Sequence, residues 1–379
     1  MAATAVAVER TDPLATVFSP AQVGLASLST GIRGAFYPGK AEWDVQYSLP
    51  DLGYTAWAVQ GGVRLNDFVD LPLRVGLGVA YHRVDLNLGE FSVTNSSGPT
   101  VIGTFNSFEY ATGVTIGLGF EYLVKGGFGY TFRSISSHLS PIGIEEGGGG
   151  TGVADVAAKD FGGYLSFPIV DLIEALPHNS GKNHTGVRAF ADLSLGFAIN
   201  NIGDQVVYVD AAQPDPLPRT ARAGLGAAAG VRYAGWELVG ATWSREGEDL
   251  LVVRKDSQNW EWEYQSGFGD LKFGHNVIAG HSSDDVALHT GWQLQFGEFF
   301  TYREGAYRQS NWSYETNGLT FRLAGLLKGI ALAAGSDAPS WLLFLRDHLD
   351  VQYHRAKSGD LYELSKFEGL SVVLNVMPL

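Results

Sequence analysis

Several side chains of this sequence are of the right type for chemistry. His275, His281, Asp284, Asp285 and His289 could offer nitrogen and oxygen ligands to a metal ion. Asp204, Asp210 and Asp215 could hold Ca²⁺ through carboxylates, although their spacing fits no EF-type loop. Ser282 follows His281, yet no strand–turn–helix context orients it as a nucleophile. Gly117 and Gly119, and again Gly127 and Gly129, resemble half of a dinucleotide fingerprint. Both pairs sit inside alternating stretches with no helix to follow, so strand packing accounts for them better. The His and Asp groups read as solvated loop residues. No catalytic residue, metal site or cofactor is expected, and the chain reads as not an enzyme.

Composition narrows the classes further. The 379 residues carry 26 Lys+Arg against 40 Asp+Glu, a net charge of −14, which argues against a nucleic-acid partner. The absence of Cys removes disulfide scaffolds, Cys-ligated zinc and thiol chemistry. Charged residues make up only 17% of the chain, while 49 residues are Gly and 46 are aromatic. No apolar run is long enough for a transmembrane helix. The start, MAATAVAVER, has neither the basic nor the long apolar region of a signal peptide, so none is expected in this chain.

The elements that must carry these residues show a period of two. Leu73, Val75, Leu77, Val79 and Tyr81 alternate with Arg74, Gly76, Gly78, Ala80 and His82. Similar runs cover 114–122, 187–200 and 286–296, with shorter ones at 43–49, 57–65, 128–132, 223–233, 260–264, 349–353 and 370–376. Weaker runs lie at 156–167, 236–245, 299–307 and 312–321. Several reach the roughly 9–11 residues that a strand needs to cross a bilayer. One face is apolar with aromatics near the ends, as lipid and its interfaces require. The other face is polar, Gly-rich and Lys-poor, which suits a barrel lumen where backbones pack closely.

The expected fold is therefore all-β, a transmembrane antiparallel barrel of about 14 strands with short rim helices. Polar stretches at 86–110, 134–154, 204–218 and 246–259 are expected outside the bilayer. Helical patterns occur at 169–176, 326–334 and 341–345, read as rim connections or as docking helices for a partner or the membrane surface. Arg74, Arg188, Arg222 and Arg322 are placed inward near Asp192 and Glu121. Tyr164, Phe190 and Trp243 are placed inward.

Two groups of residues suggest a family. The segment from Asp12 through Phe18, Ser19, Pro20 and Ala21 to Val23, Gly24 and Leu25 resembles the early hatch motif of FadL-like outer-membrane barrels. Ser19 stands where that family usually has Asn. Asn201, Gly203, Asp210, Pro218, Arg219 and Arg222 resemble a block of the PorV branch of the same superfamily, as does the stretch 314–328. The resemblance implies a plugged barrel of fourteen strands in the bacterial outer membrane, with residues 1–40 as an N-terminal hatch or plug segment and 41–379 as the transmembrane barrel. For the PorV branch it implies a non-enzymatic adaptor or shuttle in type IX-like protein secretion, with translocon and cargo proteins as partners. For FadL-like members it implies transport of a hydrophobic small molecule, and a polar diffusion porin is a further alternative. Outer-membrane lipid is the common partner. The ligand-binding residues are not identifiable at this level. Leu86, Leu88, Phe91, Val101, Ile102, Phe105 and Phe108 place apolar groups in a stretch expected to be a long outer loop.

Overall fold

The computed structural model describes residues 4–10, 12–40, 53–94, 98, 100–140, 151–175, 186–208, 214–256, 261–310, 312–358 and 366–375. Asp210, the run at 43–49 and the C-terminal 376–379 lie outside them.

Fourteen antiparallel strands close into a barrel. The first seven are β1 (Gly31–Lys40), β2 (Gly53–Arg64), β3 (Arg74–Thr94), β4 (Val101–Glu121), β5 (Lys125–Ser140), β6 (Gly152–Pro168) and β7 (Val187–Gly203). Then come β8 (Thr220–Tyr233) and β9 (Trp236–Leu250), and after a loop hairpin of β10 (Val252–Asp256) and β11 (Glu261–Tyr264), β12 (Val286–Phe296). The wall ends with β13 (Phe300–Gln309), β14 (Trp312–Arg322), β15 (Leu349–Ser358) and β16 (Lys366–Asn375). Each wall strand pairs with its neighbour, β12 follows β9 directly, and Gly31 of β1 opposite Asn375 of β16 closes the ring. A closed ring has no edge, so its backbone groups can be satisfied without water.

The alternation decides which face meets lipid. Ile32, Val59, Leu77, Val79, Ile116, Phe132, Leu193 and Leu374 all point outward and are exposed. A belt this extensive cannot face water and matches the apolar band of an outer-membrane barrel. At one rim the connections include two-residue turns. Ala234-Gly235 and Gly297-Glu298 have φ values of 48°, 80°, 57° and 55°, the left-handed pair that a type I′ hairpin requires. The same rim carries four helices: α1 (Ala21–Ala26) lies just inside the lumen, while α2 (Ile169–Glu174), α3 (Leu323–Ala334) and α4 (Ser340–His348) join strands. The helical patterns at 169–176, 326–334 and 341–345 are thus realised as α2, α3 and α4.

Three expectations are corrected. The wall begins at Gly31, not after residue 40, because β1 pairs along both sides with β2 and β16. The stretch 86–110 is mostly strand: β3 and β4 each run 21 residues and stay paired to Thr94 and Val101. Above a bilayer both faces of such a ribbon meet water, so alternation is not enforced and the sequence looks irregular there. The run at 260–264 belongs to the loop hairpin β10–β11 and not to the wall.

Residues 4–30 lie inside the barrel. They include a 3₁₀ turn (Pro13–Val17) capped by the Asp12 side chain, and α1 (Ala21–Ala26), every residue of which is buried. Their backbone rests on glycines of the wall. A methyl group added at Gly117 or Gly119 would lie 2.4 or 2.1 Å from the backbone of Gly24. At Gly129 it would lie 2.0 Å from the Pro20 carbonyl oxygen, and at Gly196 only 1.7 Å from that of Val6. These inward glycines are what allows main chain to lie on main chain. Gly129→Val or Gly196→Val is therefore expected to unseat the internal segment while the ring stays closed. Trypsin cleavage after Arg10 in the folded barrel should rise, whereas Gly61→Val, where an added methyl meets nothing within 4 Å, should change nothing.

Candidate functional site

The internal segment fills the lumen unevenly. Residues 5–8 lie against β7, β8 and β9, and α1 against β3, β4, β5 and β6. The opposite half of the wall presents large inward side chains such as Tyr37, Gln293, Arg303 and His354, and there the lumen stays open. A cavity of about 570 Å³ runs between the segment and the wall. Along β14 it touches Tyr314, Thr316, Gly318, Thr320 and Arg322 in turn. Eight residue steps of strand amount to ~27 Å, close to the ~30 Å of a bilayer core before tilt is allowed for.

The seat of the segment is a buried carboxylate. Glu246, on the inner face of β9, is fully buried. Its oxygens accept hydrogen bonds from the backbone N–H groups of Ala5, Val6 and Ala7 at 3.1, 2.9 and 3.0 Å. Ser194 donates to the Ala7 carbonyl at 2.6 Å, and Gln22 donates to the carbonyls of Ala5 and Val8 at 2.9 Å. Hydrogen bonds from N–H groups to a carboxylate are charge-assisted and strong, so three of them fix the segment firmly.

A second anchor sits toward the long-loop end. Arg133 on β5 pairs with buried Asp160 on β6 at 2.7 Å and donates to the Val17 carbonyl of the segment at 3.1 Å. Asn201 completes it. Its backbone is left-handed at φ 58°, its N–H donates to Asp160 at 2.7 Å, and its side chain meets Arg133 and the Pro218 carbonyl. The Asn201 conformation coincides with a register break between β6 and β7 at Lys159 and Phe161. Arg219 reaches the Gly203 carbonyl at 3.3 Å and lies over the Tyr264 ring at 3.9 Å. The motif Asn201, Gly203, Pro218 and Arg219 is thus brought together as a brace between wall, loop and internal segment.

The hatch motif is also placed. Phe18 lines the cavity under the guanidinium of Arg222, 5.3 Å from its ring centre. Ser19 is buried with no hydrogen-bond partner for its hydroxyl among the described residues. Pro20 rests on Gly129, and Ala21 packs with Leu25 and Tyr164. Tyr164 therefore faces inward against the segment. Trp243 does not, because it opposes Trp292 and Ala227 on the outer face, whereas Thr242, Ser244, Glu246 and Glu248 point in. Of the inward arginines, Arg74 pairs with Glu121 at 3.0 Å. Arg188 pairs with Asp171 and Glu174, Arg222 with Glu248, and Arg322 with Asp350.

The cavity has two chemically distinct ends. Near the long loops stand Phe18, Tyr54 and Tyr314, with Tyr307 stacked on Tyr314 at 4.9 Å. Deeper in, the Tyr37 hydroxyl donates to Asp12 and the ring stacks on His354 at 5.8 Å. His354 bridges Thr320 and Ser371, each at 2.9 Å. Arg303 donates to Gln293 at 2.9 Å and to Thr320, and Arg10 reaches the same Gln293 at 3.5 Å. Tyr37, Arg303, Gln293, His354 and Arg10 are scattered in sequence, and only ring closure makes them neighbours. The alternation shows that each points inward but not that they converge. Glu246 was missed for another reason: the run 246–259 is charged and reads as loop.

His275 and His281 stack at 4.8 Å in the loop before β12. Among the described residues no group of three or more His, Asp or Glu is arranged to hold a metal ion. His289 instead bonds Glu248 at 2.7 Å.

The segment joins the wall through Thr30, whose hydroxyl donates to Asp67 at 2.5 Å while Arg64 bonds the same carboxylate at 2.7 Å. The Thr30 bond, and then Arg64, hold the Asp67 carboxyl below its ordinary value.

No family model matches the chain, and no curated protein matches it in sequence. Among solved structures it is similar to the toluene transporter TodX of Pseudomonas putida, with 11% identity over 98% of this chain and 96% of that one and a TM-score of 0.43. It is similar to the monoaromatic hydrocarbon channel CymD at 10% identity, 98% and 94% coverage and a TM-score of 0.42. It is also similar to the translocator domain of the autotransporter NalP from Neisseria meningitidis at 11%, 92%, 89% and 0.37. The barrel rests on its own strand pairing.

Two outcomes follow from these anchors. Glu246→Ala strands three buried N–H groups, each bonded to charge with a worth of about 1.5–3 kcal/mol. It should free residues 4–10, read as lost protection in hydrogen exchange, and Glu246→Gln, which keeps one acceptor oxygen, should do so less. The second outcome concerns acid. A carboxyl whose folded pKa is depressed stabilises above its unfolded value of about 4 and loses this as pH falls through the folded one. Protection of the amides around Thr30 and Arg64 should fall in that acid range, and Asp67→Asn should be low at every pH.

Proposed function

We propose that this barrel is an outer-membrane channel for small molecules, the FadL-like alternative of the sequence reading, in preference to the PorV-like adaptor. The observation that supports it is the open half of the lumen beside residues 4–30. A solute entering from the long-loop side meets Phe18, Tyr54 and Tyr314 first and then Arg303, Gln293, Arg10 and His354. Aromatic faces followed by convergent hydrogen-bond donors suit a molecule with an apolar body and one polar or anionic end. The space of about 570 Å³ admits a ligand of a few rings but no folded protein. The internal segment then acts as a hatch that narrows the lumen to this passage. The resemblance of the 201–222 motif to the PorV branch is compatible with a scaffold shared between transport and secretion, and here it braces the hatch.

The test is flux through the full chain in liposomes. Entry of a small aromatic carboxylate should exceed that of a sugar of equal size. Arg303→Ala combined with Gln293→Ala should reduce carboxylate entry several-fold with the barrel intact. Deletion of residues 4–30 should raise flux of both solutes and abolish the preference. Equal flux of both solutes through the intact chain would make it a diffusion porin. No flux, together with secretion proteins retained after mild detergent extraction, would restore the adaptor reading.

A further inference from the structure

The connection between β14 and β15 is far longer than a turn requires, and its two helices leave an apolar surface uncovered. In α3, Leu323, Leu326 and Ile330 are exposed, at spacings of three and four that put them on one stripe. Trp341 and Phe344 of α4 are 62% and 61% exposed. The flank of α3 beside this stripe is occupied: Leu327 and Ala331 pack on Leu342 of α4. A methyl group at Gly325 would lie 2.3 Å from the Glu298 backbone, and one at Gly329 would lie 3.0 Å from the Trp236 ring. The helix therefore lies flat along the rim, under the turns that join β12 to β13 and β8 to β9. Its twelve residues span ~18 Å.

We infer that α3 and α4 form an interfacial hairpin that lies in the near leaflet of the membrane and takes phospholipid as its partner. The argument is continuity with the lipid-facing belt. Phe296, Phe300 and Phe321 lie side by side along the outer face of the same rim, with ring centres 6.3 and 5.2 Å apart, an aromatic girdle of the kind that marks a membrane boundary. Helix α3 starts two residues after Phe321, so its stripe begins where the girdle ends. A hairpin at that depth with exposed Leu, Ile, Trp and Phe buries them by lying in the interface.

Its basic side chains are already engaged. Lys328 pairs with Glu298 at 2.9 Å, Arg346 with Asp347 at 2.6 Å and Arg322 with Asp350 at 2.7 Å. Contact with lipid then rests on apolar burial and not on anionic headgroups. The hairpin would fix the height and tilt of the barrel on the side of the wall that lines the passage. The inference is independent of what the lumen carries.

The chain has no Cys, so single reporters need no background removal. Leu326→Cys, Ile330→Cys and Phe344→Cys are labelled with a polarity-sensitive nitrobenzoxadiazole dye in the full chain, reconstituted in phosphatidylcholine vesicles. Phe321→Cys marks the lipid-facing wall, and Asp70→Cys marks an exposed turn at the same rim. Heat-modifiable migration confirms that each barrel is folded. The expected result is blue-shifted emission at all three helix sites, quenching by lipids with a shallow nitroxide, and iodide quenching several-fold weaker than at Asp70→Cys. The same depth is expected with and without phosphatidylglycerol. Iodide quenching equal to Asp70→Cys without quenching by nitroxide lipid would overturn the inference. So would insertion only in anionic vesicles, or a blue shift lost on diluting the protein in lipid, which would mean that a second copy covers the face.

Discussion

Main chain resting on main chain is the constraint on which the rest depends. Residues 4–30 can lie within the barrel because the inner faces of β3–β5, β7 and β8 offer Gly where they pass. A side chain at Gly129 or Gly196 would occupy the space of a carbonyl oxygen. The other half of the wall carries Tyr37, Gln293, Arg303 and His354, which hold backbone at a distance. The distribution of inward glycine and inward bulk thus sets both where the segment seats and where the passage is left.

Burial of so much polar backbone inside a lumen demands partners, and the wall supplies them from fixed positions. Glu246 answers three N–H groups, Arg133 answers the Val17 carbonyl, and Asn200 answers that of Phe18. Lys125 bonds Glu9, Tyr37 bonds Asp12, and Arg33 donates to the Ala26 carbonyl and to Ser29, so single groups on rigid strands hold the segment at points spread along its length. At the rim, paired charges leave α3 and α4 to face outward with apolar residues.

Much of the architecture was legible in the residues. Alternation in 73–82, 114–122, 187–200 and 286–296 named the strands, their faces and the lipid belt, because a strand in a bilayer must keep one face apolar for its whole length. The same rule failed where it lost its cause. Beyond the bilayer β3 and β4 continue as a ribbon with water on both faces, and alternation lapses. The hatch boundary was misplaced because β1 is short of large apolar residues, with Gly31, Gly34, Pro38 and Gly39 among its ten. Trp243 was turned the wrong way because the charged run after it hid the continuation of β9 that shows its parity.

By itself, the sequence determined a closed antiparallel barrel with a glycine-lined interior and helices at one rim, while the early plugging segment was implied only by the resemblance to FadL-like barrels. The barrel, its inner face and the helices follow from local rules of period, turn chemistry and composition, which act over a few residues at a time. Only the tertiary structure decided that the lumen is half filled, that Glu246 and Asn201 are anchors, and that Arg10, Tyr37, Gln293, Arg303 and His354 share one cavity. The reason is that closure joins β1 to β16 and brings the first forty residues against the last hundred. Pairing across such separations depends on register and shear around the whole ring, and no local pattern encodes which inward side chains finally meet.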